Sequence, residues 1–388
     1  MSIPVQRVLL KRVLFRLHWI AGLTAGLVLA VVGFSGGLMG FEEPILRSLN
    51  PQFHVVANNR SALLPDRWIA DARAAHPGEA VRGVTWAGVD EAVRLRMARD
   101  GGRGSEIAID PYDGSVLGAA RGAEFFAVVE QVHRTLAAGA VGKQMVGAST
   151  ATLILIVATG LYLRWPRRRH SWSTWLRPNL ERKGRGLLWQ LHAVAGTWLL
   201  LFYLSAALTG LWWSYDFYRN AINAIAGVPA STRRPPAPAA DQSALPVSVD
   251  PAWIAFRAAV PEATRATFAP PASSDAPLEI RYQTPSSPHE RAWNTLKVDP
   301  VTGAISGREL YAELPRGRRF VSSLFPLHSG SFFGAPGRVL MACAALSMPL
   351  FALTGIWLWL LRRRNEASRN RLATAVPGEL RGSDACAG

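Results

Sequence analysis

Four stretches of the chain run for about twenty residues or more as nearly unbroken apolar sequence: Leu14 to Met39, Gly142 to Leu163, Leu187 to Trp213 and Val339 to Leu361. A helix of about 20 apolar residues reaches across the hydrocarbon layer of a bilayer. Four transmembrane helices are therefore predicted, each reading as uninterrupted. Between the first and second spans, and again between the third and fourth, the period changes. IDPYDGSVLG at 109–118 and VDPVTGAISG at 298–307 carry an alternating run into Asp-Pro-x-x-Gly, which reads as a strand, a tight turn and a second strand. Ahead of each lies a short helical pattern, WIADARAAHP at 68–77 and WIAFRAAVP at 253–261. A small domain of helix plus antiparallel sheet is expected in each of these segments.

The pattern divides the chain into an N-terminus with the first span (1–40), a first outer domain (41–138) and a second span (139–163), followed by a basic loop (164–186) and a third span (187–213). A linker with the second outer domain (214–335), the fourth span (336–361) and a polar tail (362–388) complete it. The linker is the Pro/Ala-rich stretch VPASTRRPPAPAA at 228–240. The first span is too long for the h-region of a signal peptide and is expected to remain uncleaved.

Composition agrees with this pattern: 49% of the 388 residues are hydrophobic and only 18% charged. The net charge of +16 raises the question of nucleic acid. The basic residues, however, cluster at Arg7, Lys11, Arg12 and Arg16, along Arg164 to Arg185, and at Arg362 to Arg364, all on one side of a four-span chain. By the positive-inside rule both termini and the 164–186 loop are cytoplasmic and the two long segments lie outside. Membrane lipid, not nucleic acid, accounts for the basicity, and a bacterial inner membrane is the expected location. Cys343, inside a span, and Cys386, in the tail, imply no disulfide framework.

The chain also repeats itself. His133, Thr159-Gly160 and Arg167-Arg168-Arg169 fall on His328, Thr354-Gly355 and Arg362-Arg363-Arg364 at one 195-residue offset, which carries Lys143 to Arg338. A second offset, of 174 residues, places HWIAG at His18 on HAVAG at His192, and Ser35-Gly36 on Thr209-Gly210. The expected fold is a mainly α membrane protein, a four-helix transmembrane bundle made by internal duplication, with two small α+β outer domains.

Of eight histidines, four obey this repeat and stand at span ends: His18 and His192 on the inner side, His133 and His328 on the outer. An ionisable group beside a span is costly and functional by default. Two imidazoles from different helices suit the axial positions of a b-type haem, and bundle cores are where such groups sit. Two haems are expected, one between His18 and His192 and one between His133 and His328. Lys143 and Arg338 are candidate partners for haem propionates, with interfacial snorkelling the simpler role. The remaining four histidines, His54, His76, His170 and His289, are expected at the solvated surface. The Ser/Thr-Gly pair in every span, and the glycines of GFSGGLMG in the first, read as helix packing. The tryptophans at the span ends read as an aromatic belt.

Taken together, LHWIAG at 17–22, VHRTL at 132–136, TGLYLRWPRR at 159–168, LHAVAG at 191–196, DPVTG at 299–303, LHSGSFFG at 327–334 and TGIWLWLLRR at 354–363 carry a resemblance. Over residues 7–364 the chain resembles the PepSY-associated transmembrane family, iron-regulated membrane proteins that include inner-membrane ferrisiderophore reductases. The resemblance implies PepSY-like periplasmic domains and haem-mediated electron transfer to a periplasmic ferric siderophore or other ferric complex. It marks His18, His133, His192 and His328 as ligands. One departure is Ser329, where the first half has Arg134. No nicotinamide or flavin fingerprint is visible, since GGRG at 101–104 lies in a predicted hairpin. The donor is then a quinol or a cytoplasmic-side protein. Two other readings stand beside this one: a non-enzymatic protein whose outer domains bind or regulate a periplasmic partner, and a transporter of the iron complex, against which the unbroken spans argue.

Overall fold

The computed structural model describes residues 3–58, 60–98, 104–165, 172–229, 247–271 and 273–374. The arginines 167–169, His170 and most of the proposed linker, residues 230–240, lie outside the described residues, as does the tail beyond 374. The chain forms two compact units. One holds residues 1–37, 132–214 and 343–388, the other residues 38–131 and 215–342.

In chain order the helices are α1 (Ile3–Met39), α2 (Glu42–Leu49), α3 (Pro65–Ala75), α4 (Ala123–Thr135), α5 (Gly139–Arg164), α6 (Trp172–Leu176), α7 (Gly184–Ser214), α8 (Asp216–Ile225), α9 (Asp250–Ala259), α10 (Arg316–Ser329), α11 (Gly334–Leu346) and α12 (Met348–Thr374). Four helical stretches are long and apolar enough to cross a membrane: Gln6–Met39, Gly139–Arg164, Gly184–Ser214 and Ser331–Ser368. Their buried faces are narrow and made partly of small residues. Ala25 and Leu29 of α1 meet Leu153 of α5, Tyr203 and Ala207 of α7, Ala344 of α11 and Met348 of α12. Large apolar side chains such as Leu27, Leu201 and Trp357 point outward, 62–72% exposed, as side chains against lipid would.

The fourth span corrects the expectation of unbroken helices. It stops at Leu346 and restarts at Met348. Pro349 is the cause, because proline has no N–H to give the Ala345 carbonyl and its ring crowds that turn. Two features accommodate the break. A Cβ on Gly33 of α1 would lie 2.5 Å from Met348 Cβ and 2.7 Å from the Ala345 carbonyl oxygen, so only glycine fits against the broken turn. From α7, the Tyr203 hydroxyl reaches Ser347 Oγ at 2.6 Å and the Ala344 carbonyl at 3.1 Å.

In the second unit the strands are β1 (Ala80–Trp86), β2 (Val93–Ala98), β3 (Ser105–Ile109), β4 (Val116–Gly118), β5 (Arg265–Phe268), β6 (Leu278–Gln283), β7 (Asn294–Val298) and β8 (Ile305–Glu309). The Asp-Pro-x-x-Gly segments form matching turns. Asp110 Oδ1 accepts from the Tyr112 N–H and Asp299 Oδ1 from those of Val301 and Thr302, and Gly114 and Gly303 take the left-handed φ of 77° and 71°. The two segments do not make separate sheets. They share one eight-stranded antiparallel sheet in the order β4-β3-β2-β1-β5-β6-β7-β8, joined where Val84, Thr85 and Trp86 pair with Phe268, Thr267 and Ala266. Pairing these edges removes two exposed rows of backbone donors and acceptors. One face carries α3 and α9 over a common core in which Trp68 and Trp86 both meet Trp253 edge-on, at 5.8 and 5.9 Å.

His289, expected at the surface, is buried, with 7% of its area exposed. Its Nδ1 accepts the Arg291 backbone N–H, which leaves Nε2–H facing the Tyr311 hydroxyl at 3.0 Å and Ser323 Oγ at 3.1 Å. Desolvation lowers its pKa, only partly opposed by the neighbouring Glu290. Below the ordinary histidine value of about 6.5 the unfolded chain therefore binds a proton that the folded site resists. This contribution to stability is complete above that pH and is lost as the pH falls through and below it. Thermal unfolding of the detergent-solubilised chain between pH 8 and pH 5 is expected to show this loss, and His289→Gln to flatten that part of the profile.

Candidate functional site: the imidazoles of the bundle

Three of the four repeat histidines are anchored within the membrane unit in the same manner. His18 Nδ1 lies 3.0 Å from Thr159 Oγ1, and His192 Nδ1 lies 2.8 Å from Thr354 Oγ1. Each threonine spends its own proton on its helix, Thr159 on the Leu155 carbonyl at 2.7 Å and Thr354 on the Leu350 carbonyl at 2.7 Å. The hydroxyl oxygens can therefore only accept, and Nδ1 must carry the proton. His133 Nδ1 lies 2.9 Å from the Val32 carbonyl, which also only accepts, with Ser35 Oγ at 3.4 Å. In the His18 and His192 rings this leaves the Nε2 lone pair unprotonated. That is the tautomer a metal-binding imidazole needs, with the second nitrogen held by a hydrogen bond.

The residue after each hydroxyl is glycine, and it faces the ring. A Cβ at Gly36 would stand 2.8 Å from His133 Cε1, one at Gly160 3.2 Å from His18 Cε1, and one at Gly355 4.0 Å from His192 Cε1. Three of the Ser/Thr-Gly pairs, Ser35-Gly36, Thr159-Gly160 and Thr354-Gly355, are thus seats of imidazoles as well as packing elements. In the sequence Thr159, Thr354, Ser35, Gly36, Gly160 and Gly355 show only as a repeated motif that reads as helix packing.

His18 and His192 are both half-buried in the bundle. His192 also meets the ring of Phe351 at 5.1 Å, which in turn meets Tyr203 at 5.6 Å. His133 ends α4, just before a turn in which Leu136 and Ala137 take positive φ. His328 holds the corresponding place in α10, before Gly330 at φ 80°. His133 belongs to the membrane unit and His328 to the sheet unit. Lys143 is half-exposed in the first turns of α5, whereas Arg338 donates to Glu43 at 2.8 Å. Of the histidines without a repeat partner, His54 bridges to Glu91 on an exposed edge and His76 caps α3.

Among the described residues no group of three or more His, Cys, Asp or Glu side chains could hold a metal ion by itself. His18 and His192, each with Nε2 unprotonated and a glycine beside the ring, are donors of the kind that would hold a haem iron.

A multi-pass membrane protein is thereby defined, with four apolar helices, seated imidazoles and an antiparallel sheet unit. The model of the PepSY-associated TM region matches residues 15–362, and the chain belongs to that family. None of the curated proteins matches it.

Replacing Thr354 by valine keeps the side-chain shape but removes the acceptor for the His192 Nδ1–H. A buried donor left without a partner costs about 1–3 kcal/mol. A lower unfolding temperature of Thr354→Val in detergent, with Thr152→Val as a control on a hydroxyl that only back-bonds its own helix, is the expected result.

Proposed function

We propose that the chain is an inner-membrane oxidoreductase that passes electrons from a cytoplasmic-side donor, a quinol or a protein, to a ferric complex in the periplasm, in the manner of a ferric siderophore reductase. His18 with His192 and His133 with His328 would hold two b-type haems. Bound haem would supply a one-electron ferric/ferrous couple on each side of the membrane. The observation that carries the reading is the shared seat: His18 and His192, on two different helices, each turn Nδ1–H to a threonine hydroxyl that can only accept, which leaves Nε2 unprotonated.

The residues of the chain contribute orientation and burial. Thr159 and Thr354 fix ring rotation, and the adjacent glycines leave room at the ring edge. Hydrogen bonding of Nδ1–H also makes the imidazole a stronger donor to iron. Lys143 and Arg338 would answer propionate charge, Arg338 with N–H groups beyond the one it gives Glu43. Reduction then releases iron, since ferrous iron binds hard oxygen ligands less tightly than ferric iron. The termini and the 164–186 loop are cytoplasmic in this reading.

The broken fourth span favours a second reading, an iron-complex transporter, because transporters interrupt helices around polar midplane sites. Here the interruption is filled by Gly33 packing and by the Tyr203–Ser347 contact. Uptake of iron complex by sealed vesicles without reductant would favour transport.

Reduced-minus-oxidised spectra with haem counted per chain test the leading reading. Two low-spin b haems are expected in the wild type and one in each of His18→Ala and His133→Ala. A folded preparation made with ample haem and containing none would overturn it.

A further inference from the structure

The sheet face opposite α3 and α9 carries an unusual concentration of arginine. Arg281 of β6, Thr295 of β7 and Glu309 of β8 are cross-strand neighbours in one row. They line a cavity of about 280 Å³ together with Arg291, Trp293, Tyr311, Arg318 and Ser322. Arg281 and Arg265 both lie over the ring of Trp293, with Cζ at 5.1 and 5.7 Å from its centre, and Arg291 lies 4.4 Å over Phe325. Stacking on an aromatic face holds a guanidinium flat and leaves its N–H edge open to a carboxylate.

The surrounding acids are already engaged. Glu309 pairs with Arg318 at 3.1 Å, Glu279 with Lys297 at 3.3 Å, Glu106 with Arg94 at 4.0 Å and Glu43 with Arg338 at 2.8 Å. Among the described residues no carboxylate forms an ion pair with Arg265, Arg281 or Arg291. Arg291 repels both of the others, a repulsion only partly offset by Glu43 and Glu106 acting on Arg265 and by Glu279 acting on Arg281 without ion-pair contact. A cluster of like charges on a sheet face is destabilising unless something supplies the countercharge. The hydroxyls of Thr295, Tyr311 and Ser322 in the same cavity add hydrogen-bonding groups beside the charge.

We propose that this cavity binds the carboxylate-bearing, anionic part of a ferric chelate, with Arg281 and Arg291 as paired forks and Trp293 as the floor. The identity of the metal rests on the reductase reading, while the selectivity for an anion rests on the cavity alone. The volume suits one tricarboxylate or one arm of a larger chelator, not an entire macrocyclic ligand.

The test uses redox-inert gallium(III) citrate, which mimics the ferric complex in charge and size, titrated calorimetrically into the full detergent-solubilised chain. A neutral gallium trihydroxamate is titrated in parallel. The wild type is expected to bind the citrate complex in preference to the neutral one. Arg281→Gln and Arg291→Gln should each weaken citrate binding by about tenfold or more, the scale of a lost charge-assisted hydrogen bond. Arg47→Gln, outside the cavity, should leave it unchanged. Ser322→Glu, which puts an anion in the cavity without touching an arginine, should abolish it, and melting curves identify any variant that fails to fold. Wild-type binding retained in folded Arg281→Gln and Arg291→Gln, or equal binding of the neutral complex, would overturn the proposal. Failure of the reductase reading looks different: protein without haem that still binds gallium citrate in an arginine-dependent way keeps the site and loses the redox role.

Discussion

An imidazole placed in an apolar bundle must find a partner for its N–H, and the rest of the membrane unit is organised around that requirement. Water is scarce there, so an unmade hydrogen bond is expensive. The solution used twice is a threonine whose proton already goes to the carbonyl one turn earlier, which turns the hydroxyl into a pure acceptor. This fixes more than one property at once. It decides which ring nitrogen is protonated, it locks the ring against a neighbouring helix, and it obliges the next residue to be small. The pairing of α1 with α5 through His18 and Thr159, and of α7 with α12 through His192 and Thr354, is in effect the same joint built twice.

The broken turn in the fourth span is a second polar problem in the same bundle, solved by different means. Pro349 takes away the donor for the Ala345 carbonyl, and the gap is closed by backbone approach at Gly33 and by the Tyr203 hydroxyl at the adjacent carbonyl and Ser347. Because Phe351 touches both Tyr203 and His192, the break and the inner imidazole share a contact. A disturbance at either has a short packed route to the other, through rings that have little freedom to rearrange.

The sequence was legible where periodicity alone decides the outcome. Four spans follow from uninterrupted apolar runs, and the two Asp-Pro-x-x-Gly turns from residues that permit only a few backbone shapes. The histidines could be found because two offsets align them. What sat beside them could not. Ser35, Thr159 and Thr354 satisfy their donors within their own helices, so each looks complete by local rules; only the folded bundle shows that the spare lone pair is used. His289 lacked a repeat partner and looked like surface, but its burial is set by contacts with Tyr311 and Ser323, which are distant in sequence. The single sheet was hidden for a similar reason, since nothing in either half specifies that β1 and β5 are each other's missing neighbours. Pro349 is visible in the sequence, but the apolar run around it satisfies the length criterion for a span and so hides the break.

Charge distribution is where composition alone misleads most. A net charge of +16 finds a sufficient explanation in the basic clusters flanking the spans. That explanation cannot reach Arg265, Arg281 and Arg291, which belong to the sheet unit and fall on strands or their connections. Retention of a topology-setting cation requires only that it lie near the end of a span. These arginines meet a stricter condition: they stack on Trp293 and Phe325, and the nearby acids are held by other cations. Such an arrangement holds the guanidinium planes flat and leaves their N–H edges open to an anion.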